Sequence, residues 1–185
     1  MEQPLLLASA SPRRREILAL LDIPFDVCPA RRESAPDGLP PGERVLALAR
    51  CKAEEVAAAH PDRLVVGADT MVVLDGRALG KPRDEAEAVE MLLSLQGKTH
   101  QVMTGVWVCS PDKHGGFVDT AEVTFYPMTR EEAAAYAATG EPLDKAGAYG
   151  IQGRGMRFIQ GVRGDFYTVM GLPGARLARF LDGNE

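Results

Sequence analysis

Short apolar runs and helical spacings alternate along the first half of the chain. Leu5, Leu6, Leu7 and Ala8 form one apolar run, predicted to be a buried strand. Ile17, Leu18 and Leu21 then recur at helical spacing within residues 12–21. Residues 30–42 are rich in Arg, Pro, Gly and Asp and predict a surface loop. A helix follows from Pro41 or Glu43 to about Ala59, stopped by Pro61. Residues 64–68 form a second buried strand. Asp75-Gly76, set between the apolar residues 71–74 and residues 77–79, predicts a hairpin. Asp84 with Glu87 opens a helix to Leu95, with Gly97 just beyond it. Residues 101–109 and 117–126 read as two long strands joined by a turn. Thr129 with Glu132 opens a helix to Ala138, and a Gly-rich last quarter closes with a helix over 173–181. Early strand–helix alternation followed by hairpins predicts an α/β fold with a mixed sheet. With no repeat and no long linker, residues 1–185 read as a single domain.

Composition narrows the class. A chain of 185 residues buries roughly 70% of its unfolded surface, enough for a core without staples. Cys28, Cys51 and Cys109 are odd in number and lack any CxxC or Cys/His spacing, which disfavours a zinc site or a disulfide framework and fits a reducing cytoplasm. His60, His100 and His114 include no i,i+4 pair, so a bound metal would rest on carboxylates and phosphates, as hard divalent ions do. No apolar run approaches ~20 residues and no leader pattern opens the chain, so the expected location is cytoplasmic, without membrane association. The formal charge of −5 and only 6% aromatics weigh against binding a nucleic-acid polymer, but leave room for a basic pocket that takes a small anion.

Such a pocket has candidates. Ser9, Ser11, Pro12, Arg13, Arg14 and Arg15 stand where a buried strand turns into a helix. Three arginines there oppose the helix dipole unless an anion joins them, so the cluster reads as a phosphate site. Lys52 shares the apolar stripe of Val45, Leu48, Ala49 and Val56, and either snorkels to the surface or carries its ammonium into a cleft. Asp69 follows an apolar strand and is read as an exposed carboxylate at the strand's end, either a turn former or a group in a ligand site. Gly80, Lys81 and Pro82 are weak alone, and residues 76–82 do not match the Walker spacing. Residues 150–155 are Gly-rich, but Gly153-Arg154-Gly155 lacks the third glycine and the helix of a dinucleotide fingerprint, and no Gly-x-Ser-x-Gly occurs.

Several motifs together resemble one family, the Maf nucleotide pyrophosphatases. They are residues 7–14, the helix segment 49–53, Gly67-Ala68-Asp69-Thr70, Gly80-Lys81-Pro82, and the segments 95–105, 145–153 and 169–173. The resemblance implies an elongated, twisted mixed sheet flanked by helices, with two lobes around a central cleft, often as a homodimer. It implies hydrolysis of a nucleoside triphosphate to the monophosphate and pyrophosphate with a divalent cation, Mg2+ or Mn2+. Carried over by motif, Asp69 is the proton acceptor, and Arg13, Thr70 and Gln152 select the substrate. Ser9, Arg13, Arg14, Lys52 and Lys81 bind phosphates, while Glu33 and Asp69 hold the metal. Thr168 stands where many members carry Asn, and no role is assigned to it.

The branch of that family resembling Ala68-Asp69-Thr70 acts on dTTP and UTP, with 5-modified pyrimidine nucleotides as further expected substrates in nucleotide-pool sanitation or cell-division control. A uracil or thymine edge offers acceptor, donor and acceptor, and the Gln152 amide supplies one donor and one acceptor to it. Two other readings stand beside this one. The first is a 7-methyl-GTP pyrophosphatase of the same family. The second is a non-catalytic, nucleotide-binding regulator of cell division.

Overall fold

The computed structural model describes residues 3–184. In chain order the first elements are β1 (Leu5–Leu7), α1 (Pro12–Leu20), β2 (Phe25–Val27), α2 (Pro41–Ala59), β3 (Val65–Leu74), β4 (Arg77–Leu79) and α3 (Glu85–Leu95). They are followed by β5 (Thr99–Cys109), β6 (His114–Phe125), α4 (Arg130–Ala137), β7 (Ile159–Arg163), α5 (Phe166–Met170) and α6 (Gly174–Leu181). The strands form one mixed, seven-stranded sheet in the order β2-β1-β3-β5-β6-β7, with β4 paired to β3. The α/β class with a mixed sheet flanked by helices is therefore as the sequence predicts. Contacts gather the chain into two compact units, residues 3–69 with 104–119 and 171–184, and residues 70–103 with 120–170.

In the first unit β1 runs parallel to both neighbours, with Leu6 opposite Asp26 on β2 and Val65 on β3. Parallel neighbours need crossovers, which α1 and α2 supply. Leu6, Ala8, Ala53, Val56, Val65 and Cys109 bury the face between α2 and the sheet. That packing is unusually close at two glycines. A Cβ on Gly67 would lie 2.3 Å from the Ala49 carbonyl oxygen and 2.8 Å from the Ala53 nitrogen, and one on Gly105 would lie 2.7 Å from the Val45 carbonyl oxygen. These neighbours are helix backbone and cannot rotate away. Gly67→Ala is accordingly expected to cost about 1–3 kcal/mol, the range for overpacking a rigid core. A urea midpoint equal to that of the parent protein would show that α2 is free to move.

The second unit is built on hairpins. Asp75 (φ 49°) and Gly76 (φ 77°) both take positive φ, as the two-residue turn between β3 and antiparallel β4 requires. Asp84 caps α3 by accepting from the Glu87 amide, and Thr129 with Glu132 makes the complete capping box of α4. Their apolar faces meet in a core that includes Leu92, Leu95, Val123, Phe125, Ala133, Tyr136, Tyr149 and Phe158. β7 is antiparallel to β6, with an irregularity between Thr124 and Phe125.

His100 lies inside this core at 2% exposure. Its Nε2 is 2.8 Å from the Tyr149 hydroxyl and its ring stands edge-on to Phe125 and Tyr149, while Nδ1 has no hydrogen-bond partner among the described residues. Burial holds its pKa down to about 4, so the ring is neutral in the fold. The unfolded chain takes up this proton near pH 6.5, before the native state can. The His100 contribution to stability is therefore expected to fall as pH drops from about 6.5 to 4, by roughly 3 kcal/mol, and to level off below. Urea titrations at stepped pH check this. His100→Gln should remove that part of the slope, and an unchanged slope would show that other groups cause it.

The structure departs from the sequence reading at four elements. The strand predicted over 64–68 and the apolar run 71–74 are not separate but merge in β3, which begins at Val65 and runs unbroken through Gly67, Asp69 and Thr70. β2 and β7 are additional, largely exposed strands, and α5 is a five-residue helix; none was predicted.

Candidate active site

The centre of the first unit's candidate chemistry is Lys52. It points inward from the apolar face of α2, its side chain only 7% exposed, and so does not snorkel to the surface. Its ammonium lies 2.7 Å from Asp69 Oδ1 and 2.7 Å from Glu33 Oε1. Buried charges persist where they are paired, and this lysine is paired twice. The glycine seat at Gly67, two residues before Asp69 on β3, brings α2 close enough for the lysine to reach the carboxylate. Asp69 therefore sits in the middle of a strand at 17% exposure, neither at a strand end nor openly exposed as the sequence reading has it. Glu33, at 66%, reaches the ammonium from the loop before α2. That loop is tied to the helix by Glu55, whose two carboxylate oxygens accept from the amides of Arg31 (3.2 Å) and Arg32 (2.8 Å).

Ser9 lies just after β1, where its hydroxyl accepts from the Ser11 amide (3.3 Å) and from Arg14 Nη1 (2.9 Å). A hydroxyl has two acceptor positions and one proton, so with both positions filled its O–H is left to donate. Arg14 also donates from Nε to the Gly171 carbonyl (2.8 Å) and so ties the start of α1 to the segment before α6. Loss of water lowers the Arg14 pKa; Asp69 and Glu33 act against that shift, and Arg13 adds to it. Ser9, Arg13, Arg14, Glu33, Lys52 and Asp69 thus share one neighbourhood in this unit. Two carboxylates meeting one ammonium also place an oxygen of each within the span of two 2.7 Å contacts. This all-oxygen pair suits a hard divalent ion completed by water and phosphate. No group of three His, Cys, Asp or Glu side chains that could hold a metal occurs among the described residues.

In the second unit, Thr70 is half-buried on β3, and Lys81 is exposed in the segment between β4 and α3. Gln152 is exposed between the 3-10 turns Ala146–Ala148 and Arg154–Phe158. The Gly147 amide donates to the Gly80 carbonyl at 3.0 Å, which ties the segment leading to Gln152 to the residue before Lys81. The sequence reading passed over Gly67 as a packing seat, and over Glu55, Tyr136 and Glu141 as anchors of loop backbone. The one legible signal was a glycine inside an otherwise apolar strand, which often marks a close backbone approach.

The chain matches the Maf-like protein family over residues 4–184. It belongs to the Maf family. A relative from Bacillus cytotoxicus, named dTTP/UTP pyrophosphatase, is 52% identical over 177 residues, covering 95% of this chain and 93% of that protein. One from Bacillus velezensis with the same name is 49% identical over 182 residues, covering 98% and 96%. The structure of the Staphylococcus aureus Ham1 protein, 16% identical, superposes with a TM-score of 0.54 over 99% of this chain and all of that one, a likeness of fold alone. The match spans Ser9, Lys52 and Asp69, the side chains gathered in the first unit. Among the described residues no helix is long and apolar enough to cross a membrane.

Proposed function

We propose that this chain is a nucleoside triphosphate pyrophosphatase that hydrolyses dTTP and UTP to the monophosphate and pyrophosphate. The observation that carries the reading is the buried Lys52 ammonium between Asp69 and Glu33, beside the Ser9 hydroxyl and two arginines. Splitting a phosphoanhydride is largely a matter of positioning and of neutralising developing charge, and these residue types supply both. The substrate follows from the names of relatives at 52% and 49% identity and from Thr70 directly after Asp69.

In this mechanism the oxygen of water bonds to the α-phosphorus of the triphosphate. The bridging P–O bond breaks, its electron pair leaves with pyrophosphate, and Asp69 accepts the proton from water. Lys52 keeps Asp69 oriented, while Ser9 donates its O–H and Arg13 its charge to phosphate oxygens. Glu33 and Asp69 would hold Mg2+ or Mn2+, which when bound supplies charge neutralisation on the phosphates. Lys81 as a phosphate ligand, and Thr70 with Gln152 as readers of the base, complete the reading.

The test is pyrophosphate release from each of the eight common triphosphates and 7-methyl-GTP with magnesium. Highest kcat/KM for dTTP and UTP is the expected result. Preference for 7-methyl-GTP moves the chain to the other branch, and binding without pyrophosphate release makes it a nucleotide-binding regulator.

A further inference from the structure

Glu141 opens the 3-10 turn Glu141–Asp144 that follows α4, and its carboxylate is spent almost wholly on one loop. Oε2 accepts from the Arg154 amide at 2.9 Å. Oε1 accepts from the Gly155 amide at 3.3 Å and from the Tyr136 hydroxyl at 2.8 Å. The same tyrosine oxygen accepts from the Gly150 amide at 3.2 Å. Residues 150, 154 and 155 are thus held by two side chains, and Gln152 rides between the anchor points. The fit leaves no space for side chains. A Cβ on Gly153 would lie 2.3 Å from Glu141 Oε1, and one on Gly155 2.7 Å from the Tyr136 hydroxyl oxygen. The anchors are themselves fixed, since Tyr136 is buried on the capped helix α4 and Lys145 Nζ donates to the Glu141 carbonyl at 2.7 Å. Burial acts to raise the Glu141 pKa, but the amides of Arg154 and Gly155, the Tyr136 hydroxyl and Lys145 outweigh it and hold the carboxyl below the ordinary range.

We propose that Glu141, aligned by Tyr136, is a positioning residue for base selection, holding the 150–155 loop so that the Gln152 amide meets the pyrimidine edge at a fixed place. This inference rests on the reading that Gln152 recognises the base. An amide can discriminate uracil from cytosine only where its donor and acceptor are held against the ring to within a fraction of an ångström. A carboxylate accepting two amides and a hydroxyl fixes backbone more firmly than neutral partners would.

The experiment is a double-mutant cycle read as the ratio of kcat/KM for UTP to that for CTP, in the full chain with magnesium. Glu141→Gln keeps the side-chain shape but turns an NH2 toward a donor. It should lower the ratio roughly tenfold, equivalent to ~1.4 kcal/mol of discrimination, with the loss in KM for UTP rather than in kcat. Gln152→Ala should lower the ratio at least as far, and adding Glu141→Gln to it should lower it no further. If Glu141→Gln fails to fold, Tyr136→Phe keeps the ring in the core, removes only the aligning hydroxyl, and should lower the ratio about threefold. A Glu141→Gln protein, or Tyr136→Phe in its place, that keeps the parent ratio while Gln152→Ala loses it overturns the inference and leaves the base reading standing. A Gln152→Ala protein that keeps the ratio overturns both.

Discussion

Asp69→Asn is expected to lower kcat/KM for UTP by about a thousandfold, within the range that general-base catalysis contributes. The amide keeps the size of the side chain and an oxygen for Lys52, but it cannot take a proton from water. Because Asp69 is only 17% exposed and lies 2.7 Å from a buried ammonium, its loss also touches stability, contrary to what an openly exposed acid would do. The cost is expected to be about 1–2 kcal/mol, the scale of a weakened hydrogen bond to a charged group, since Lys52 retains Glu33. Single-turnover kinetics and a urea titration on the same preparation separate the two effects. Activity within about tenfold of the parent would remove Asp69 from the base role.

Lys52→Met is the second large effect, a drop of about 10²–10³ in kcat/KM, as for removal of one preorganised charge donor. The apolar stripe alone suggests that methionine would pack as well as the lysine stem and leave stability equal or higher. The pairing changes that expectation. Methionine leaves Asp69 facing Glu33 without the cation between them, and removing one partner of a buried pair is costly. Glu33, 66% exposed, can turn to water and Asp69 cannot, so a loss of about 1–2 kcal/mol is expected. The Lys52→Met/Asp69→Asn double variant should regain much of it. A destabilised single variant with normal kinetics would make Lys52 purely structural.

Much of this was legible because the signals are local. The positive-φ turn at Asp75-Gly76, the Thr129–Glu132 box and the proline-bounded α2 each follow from a few adjacent residues. So does the place of Lys52 on the apolar stripe, although helical period leaves open whether its ammonium turns inward. What escaped lacks a local code. β2 and β7 are mostly exposed strands of three and five residues, without the alternation that burial of one face imposes. β3 looks broken at Asp69-Thr70 alone. Gly67 is there for a helix backbone packed against it, and the polar pair marks a dip in burial within one continuous strand. Glu55 and Glu141 act on the amides of distant loops, and any residue type presents those amides. Nothing in a motif distinguishes such carboxylates from solvated surface acids.

The two glycine seats under α2 have a consequence for how this protein tolerates change. Backbone touching backbone at Gly67 and Gly105 sets the height of the helix above the sheet, and with it the reach from Lys52 to Asp69. That contact is a mechanical stop against closer approach of the helix to the sheet. Val45 and Val56, buried on the same helix, can therefore be trimmed to smaller residues without drawing the helix closer to the sheet, whereas bulkier ones would lift it. Thermal robustness and turnover, which often trade against each other, are expected to separate here for substitutions that leave the helix height unchanged. Repacking this layer is the place to begin when engineering a more durable form of the enzyme.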